Sequence, residues 1–200
     1  MDVAASLRPR FVGEKPLPRL LFVTDPARTP DPEAIARRLP RGWGVIYRAF
    51  GAPDAPAIAR RLRDITAERG LMLLIGADAA LAVACDADGV HLPERALDQA
   101  ADLRRRRPDW LLTGAAHALE ATHTAFAAGC DAVLVSPVFP SRSPSAGPAL
   151  SAAAFRALVQ AAPLPVYALG GINAVTASQL AGSGAQGLAM VEGVLEAVRT

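Results

Sequence analysis

The adjacent glycines Gly170-Gly171 close a short apolar run, a placement suited to holding an anion. Without Cβ atoms the backbone can come close to a ligand and aim its N–H groups at phosphate oxygens. Further on, Val191-Glu192-Gly193 ends another apolar run and leads into a segment of helical character. A helix beginning near Val191 would add free N–H groups and a positive dipole end. Arg48 also ends an apolar run, and its planar guanidinium can hold a phosphate through two parallel hydrogen bonds. His117 is a candidate acid/base, while His91 is either a ligand contact or a hydrogen-bonded residue of the interior. Ser141 and Ser143 supply hydroxyl donors. Glu192 is the discordant member, because a carboxylate beside a bound dianion is repelled by about 1 kcal/mol unless it points away. These residues describe a site for a small phosphate ester, with His117 and Arg48 as the catalytic candidates and no dedicated set of metal ligands.

Such scattered residues meet only if a regular scaffold gathers them. Eight apolar runs of four to six residues recur along the chain: 20–24, 45–48, 71–75, 89–92, 110–113, 132–136, 166–169 and 187–190. Each is rich in Val, Leu or Ile, as strands buried on both faces must be. Between them lie helical segments. Residues 54–68 open on Asp54 as an acidic cap and place Ile58, Leu62 and Ile65 on one face. The others cover 32–39, 78–85, 97–107, 119–128, 151–161, 175–181 and 191–198. Strictly alternating strands and helices give either a closed barrel or an open doubly wound sheet. An open sheet would place a Gly-rich turn after its first strand, whereas Asp25-Pro26 follows here and the double glycine follows the seventh. The reading is therefore α/β, a single compact (β/α)₈ TIM barrel over 20–200, with 1–19 as an N-terminal arm or leader. In such barrels the strand C-termini carry the active site, and phosphate is often held after strands seven and eight.

Composition narrows the function. The 200 residues are 52% apolar and 20% charged, and the formal net charge is only +2, which argues against a nucleic-acid partner. Four arginines at 104–107 suit a helix C-terminus and read as a solvated face. Cys85 and Cys130 sit in apolar stretches without metal-ligand spacing, so they read as reduced, buried small side chains. No run approaches the length of a signal peptide core or a membrane span. The expectation is a soluble, cytoplasmic protein with a small-molecule ligand; a homodimer through the barrel helices is left open.

Four stretches then resemble one family. Ala87-Asp88-Gly89-Val90-His91-Leu92 is similar to the A-D-G-[VI]-H-[LI] strand of thiamine phosphate synthases and TenI proteins. Val135-Ser136-Pro137-Val138-Phe139-Pro140, with Ser141, Ser143, Gly147 and Pro148, resembles their sixth loop. Pro165 to Ile172 resembles P-V-x-A-I-G-G-I, and Gly184 to Met190 resembles the G-A-D-G-[VI]-A-[VM] final strand. The resemblance implies a thiamine phosphate synthase-like barrel in thiamine biosynthesis, with a phosphorylated thiazole or pyrimidine as ligand. The synthase activity, a thiamine-phosphate diphosphorylase transferase, would use Mg²⁺ to help pyrophosphate leave before the thiazole nitrogen captures the pyrimidine methyl cation. TenI relatives instead isomerise a thiazole carboxylate phosphate through a histidine without metal. A non-catalytic phosphate-binding barrel is the third option.

The chain also departs from the family pattern. Where the second strand of a synthase reads Q-x-R-E-K, only Arg48 is kept in Ile46-Tyr47-Arg48-Ala49-Phe50. Ala77 and Ala96 stand where the resemblance implies Mg²⁺-binding acids, with Asp78 one place late and read as a helix cap. Pro144 replaces the lysine that would face pyrophosphate, and Pro137 stands at the TenI histidine position. Glu94 reads as a surface residue.

Overall fold

The computed structural model describes residues 3–10, 15–142 and 147–198. Eight parallel strands close into a barrel in the order β1-β2-β3-β4-β5-β6-β7-β8. They are β1 Leu20–Val23, β2 Gly44–Tyr47, β3 Met72–Gly76, β4 Gly89–Leu92, β5 Leu111–Ala116, β6 Ala132–Val135, β7 Val166–Ala168 and β8 Gly187–Met190. The seam pairs β8 with β1 in register Ala189 to Leu21. The helices are α1 Val3–Ser6, α2 Pro32–Ala36, α3 Ala55–Arg69, α4 Ala79–Ala84, α5 Ala100–Arg106, α6 Leu119–Ala127, α7 Ala152–Ala161, α8 Ala174–Ser178 and α9 Val194–Ala197. A 3₁₀ turn, Glu94–Gln99, runs into α5. Among the described residues no helix is long and apolar enough to cross a membrane.

The two-residue period of each strand divides the core. Leu21, Val23, Ile46, Leu74, Leu111, Leu134, Tyr167 and Ala189 form one cluster, filling the barrel interior. Their strand neighbours Phe22, Val45, Leu73, Val90, Leu112, Val133, Val166 and Leu188 belong to a second cluster, shared with the helices. Both faces are therefore dry, which is why the strands read as near-continuous apolar runs.

The floor of the barrel is tied by a repeated device. Before β4, the Asp88 N–H donates to the Leu73 carbonyl and its carboxylate accepts the Leu73 N–H at 2.7 Å. Before β6, the Asp131 N–H donates to the Leu112 carbonyl and its carboxylate accepts the Leu112 N–H at 2.8 Å. Asp131 also takes Arg104 at 2.6 Å and Lys15 at 3.5 Å. Replacing Asp131 with Ala leaves a strand amide and a guanidinium short of an acceptor; urea unfolding should show a loss of about 2 kcal/mol.

Residues 3–10 and 15–19 lie against the same end. Leu7 is fully buried in the core shared with the helices. The Gly182 and Gly184 N–H groups donate to the Ser6 and Leu7 carbonyls, both at 2.8 Å. Tyr167 Oη donates to the Pro18 carbonyl at 2.6 Å, and the Leu188 N–H to the Arg19 carbonyl at 3.1 Å.

Candidate functional site

A cavity of about 420 Å³ opens at the C-terminal ends of the strands. Its walls bring together most of the residues singled out from the sequence: Arg48, His117, Ser141, Gly170, Gly171, Val191, Glu192 and Gly193. Ser143 and Pro144 lie outside the described residues.

The loop after β7 owes its shape to its glycines. Gly170 has φ +92° and Gly171 φ +64°, a region that side-chain-bearing residues rarely adopt. The loop also presses on the segment after β6: a Cβ at Gly170 would stand 2.7 Å from Pro137 Cα, and one at Gly171 2.5 Å from the Pro140 carbonyl oxygen. Asn173 then caps α8, accepting the Val175 and Thr176 N–H groups, while Thr176 Oγ1 donates to the Gly171 carbonyl at 2.8 Å. No described residue accepts a hydrogen bond from the N–H of Gly170, Gly171 or Gly193. These amides remain available to an anion.

One expectation about this end is corrected. The last helix does not begin near Val191; Gly193 caps it, and α9 is a single turn. Its dipole is correspondingly short. What the β8 loop contributes is the backbone of Glu192-Gly193, not a helix.

The charged residues interlock. Asp25 folds the loop after β1 back on itself, its Oδ1 accepting the Ala27 and Arg28 N–H groups and its Oδ2 accepting Arg28 Nη2 at 2.8 Å. Arg48 Nε donates to the Thr24 carbonyl at 2.7 Å and its Nη2 to Asp25 Oδ2 at 3.3 Å. Arg28 first, then Arg48, hold the Asp25 carboxyl below its ordinary value of 3.8. Arg48 therefore reaches the cavity, but part of its fork is already spent within the protein. Glu192 does not point away from the mouth. Arg142 Nη2 donates to its Oε1 at 2.6 Å, and Arg28 Nη1 stands 3.9 Å from its Oε2.

His117 and His91 part company. His117 lines the cavity, and Glu94 Oε2 accepts both its backbone N–H at 2.8 Å and its ring Nδ1–H at 2.6 Å. Glu94 is thus the partner of His117 and not simply a surface carboxylate. His91 is buried in the barrel, its Nδ1 3.0 Å from Thr113 Oγ1, and it does not line the cavity. Burial, then the Arg48 charge, pulls its pKa down to about 4.

Sequence reading alone missed Arg28, Arg142, Asn173 and Thr176. The spacing of Asn173 and Thr176 is that of a capping box and was legible. Arg28 and Arg142 stand away from the strand ends, and only loop folding brings them in.

A family model described as thiamine monophosphate synthase matches residues 20–194. The chain belongs to the thiamine monophosphate synthase family. The thiamine-phosphate synthase of Chloroflexus aurantiacus is 34% identical over 156 residues, covering 76% of this chain and 72% of that protein. That of Methanoculleus marisnigri is 32% identical over 143 residues, covering 71% and 68%. A thiamine phosphate pyrophosphorylase from Pyrococcus furiosus shares the fold, with a TM-score of 0.76 at 22% identity over 100% of both chains.

The Mg²⁺ that the resemblance to this family implies does not fit the side chains described at this mouth. Among the described residues no three His, Cys, Asp or Glu side chains converge as a metal set. Most nearby acids are already engaged: Asp25 by Arg28 and Arg48, Glu192 by Arg142, Glu94 by His117, and Asp78 by the Leu81 N–H of α4. Glu196 alone of the acids lining the cavity stands apart from these pairs, and it does not make a metal set by itself. As expected, Asp78 is a helix cap. Asp54, by contrast, stands at the start of α3 without a side-chain capping bond.

Proposed function

We propose that this chain is a cytoplasmic protein of thiamine biosynthesis that binds thiazole phosphate, or a closely related small phosphate ester, in the cup formed by Gly170, Gly171 and Gly193. The observation that carries this reading is the set of three glycines whose backbone N–H groups have no described acceptor and which line one cavity together with Arg28 and Arg48. Free amides and cations lining one cavity suit a dianion. Phe139, Leu169, Ile172 and Met190 give the same cavity an apolar wall for a flat ring. The buried, free thiols of Cys85 and Cys130 are in keeping with a reducing compartment.

Titration calorimetry with thiazole phosphate in EDTA tests this reading. Micromolar affinity is expected, and ligand at about 100 times Kd should stabilise the fold by about 2.7 kcal/mol, a rise in Tm of roughly 5–10 °C. Absence of both heat and thermal shift at millimolar ligand would overturn it.

One observation favours metal-free isomerisation of a thiazole carboxylate phosphate as the activity on that ligand. Glu94 engages His117 Nδ1–H and leaves Nε2 as a proton acceptor at the cavity. Replacing His117 with Gln should then lower isomerisation by at least about 100-fold, read by proton exchange or product formation. Unchanged turnover would remove His117 from the chemistry.

A further inference from the structure

Five charged side chains form a chain across the mouth. Arg142 meets Glu192 at 2.6 Å, Glu192 faces Arg28 at 3.9 Å, Arg28 meets Asp25 at 2.8 Å, and Asp25 meets Arg48 at 3.3 Å. Arg28 is the most buried of the three arginines and still has unused donors. A guanidinium carries five N–H groups. Nη2 of Arg28 serves Asp25; Nη1 is beyond hydrogen-bond reach of Glu192; and Nε is buried without an acceptor among the described residues. Its side chain is only 16% exposed, and Nε is sealed from solvent, so water cannot satisfy that donor. A desolvated cation short of acceptors is matched by an oxygen-rich anion.

Glu192 stands where such an anion would compete. It precedes Gly193, whose amide belongs to the proposed cup, and its two oxygens face Arg142 and Arg28. A dianion entering the cup meets Glu192 as a like charge and both arginines as unlike charges. The favourable exchange releases the carboxylate and gives the arginines to the ligand. Asp25 and Glu192 are already committed to arginines, and those arginines supply fixed positive charge at the mouth.

Resting on the cup reading, we propose that Arg28 is a ligand-binding residue for a dianionic phosphate group. The site works without a metal ion, and Glu192 is the internal anion that the ligand displaces. The exchange also sets specificity, since the neutral alcohol of the same ligand has no charge with which to displace Glu192.

Calorimetry in EDTA with thiazole phosphate as the probe, and its dephosphorylated alcohol as control, tests this on the full chain. Arg28→Gln should weaken binding about tenfold or more, and Glu192→Gln should tighten it about fivefold. In the double variant the gain from Glu192→Gln should be smaller than in the single variant, because the part of its competition that is for Arg28 is gone while its repulsion of the dianion and its hold on Arg142 remain. Millimolar Mg²⁺ should change none of these affinities by more than about twofold. The inference is overturned if Arg28→Gln binds like wild type, if Glu192→Gln does not tighten binding, or if affinity requires Mg²⁺. Should Arg28→Gln fail to fold, Glu192→Gln decides alone, and unchanged or weaker binding overturns the inference. If wild type binds the probe and the variants do not differ from it, the cup reading stands and this inference falls. If wild type does not bind, both fall.

Discussion

Replacing Gly171 with Ala should lower stability by about 3 kcal/mol and weaken thiazole phosphate binding by at least about 50-fold. Two costs add. At φ +64° an L-residue pays roughly 1–2 kcal/mol for the left-handed backbone. The new methyl would also stand 2.5 Å from the Pro140 carbonyl oxygen and 2.8 Å from Phe139 Cβ, so the backbone must separate. Overpacking of this kind costs a further 1–3 kcal/mol or so. Because the displaced segment carries the amides of the cup, the loss of binding should exceed the loss of fold. Gly182→Ala is the matched control: its φ is +67°, but nothing lies within 4 Å of an added Cβ. It should cost only about 1 kcal/mol and leave binding intact. Thermal unfolding and calorimetry on both variants separate backbone strain from steric pressure; equal effects would dismiss the close approach as the cause.

Acid should destabilise the protein through His91. Its folded pKa is about 4, depressed by burial and by Arg48, whereas the unfolded chain takes up the proton near 6.5. Stability is therefore fully present above about pH 6.5, falls as the pH drops through the window between the two values, and is lost below about 4. The total is roughly 3 kcal/mol, most of it gone by pH 4.5. Urea denaturation at pH 7.5 and 4.5 measures this loss, and His91→Gln should remove most of the difference between the two conditions. If the variant keeps the full pH dependence, the buried imidazole is not its source. Asp25, held low by Arg28, contributes its own loss in more acidic solution.

The same physics explains what could be read in advance. Each strand is buried on both faces, and runs rich in Val, Leu and Ile satisfy this, so the strand positions are visible in one dimension. Gly170-Gly171 was legible for a related reason: a backbone with positive φ pressed against Pro137 and Pro140 admits little else. Asp78 was legible because capping is local, involving only Leu81 three residues on. Asp54 shows the limit of that rule, since α3 starts there without using its carboxylate.

The amino-acid sequence by itself determined the barrel, the glycine loop at its mouth and the loss of acids at positions 77 and 96. The barrel and the glycine loop rest on burial and local backbone geometry, whereas the missing acids are visible only against the pattern of the family that the chain resembles. Only the tertiary structure decided how the mouth is charged. Arg28 reaches the cavity because Asp25 folds its loop inward, Glu192 meets Arg142 across 50 positions of chain, and Glu94 meets His117 across 23. His91, similar in type to His117, ends in the dry interior with Thr113 because alternate residues of a strand face opposite sides. Long-range pairing of charges leaves no local periodicity behind it. The chemistry of this site was therefore settled by which loops the closed barrel brings side by side.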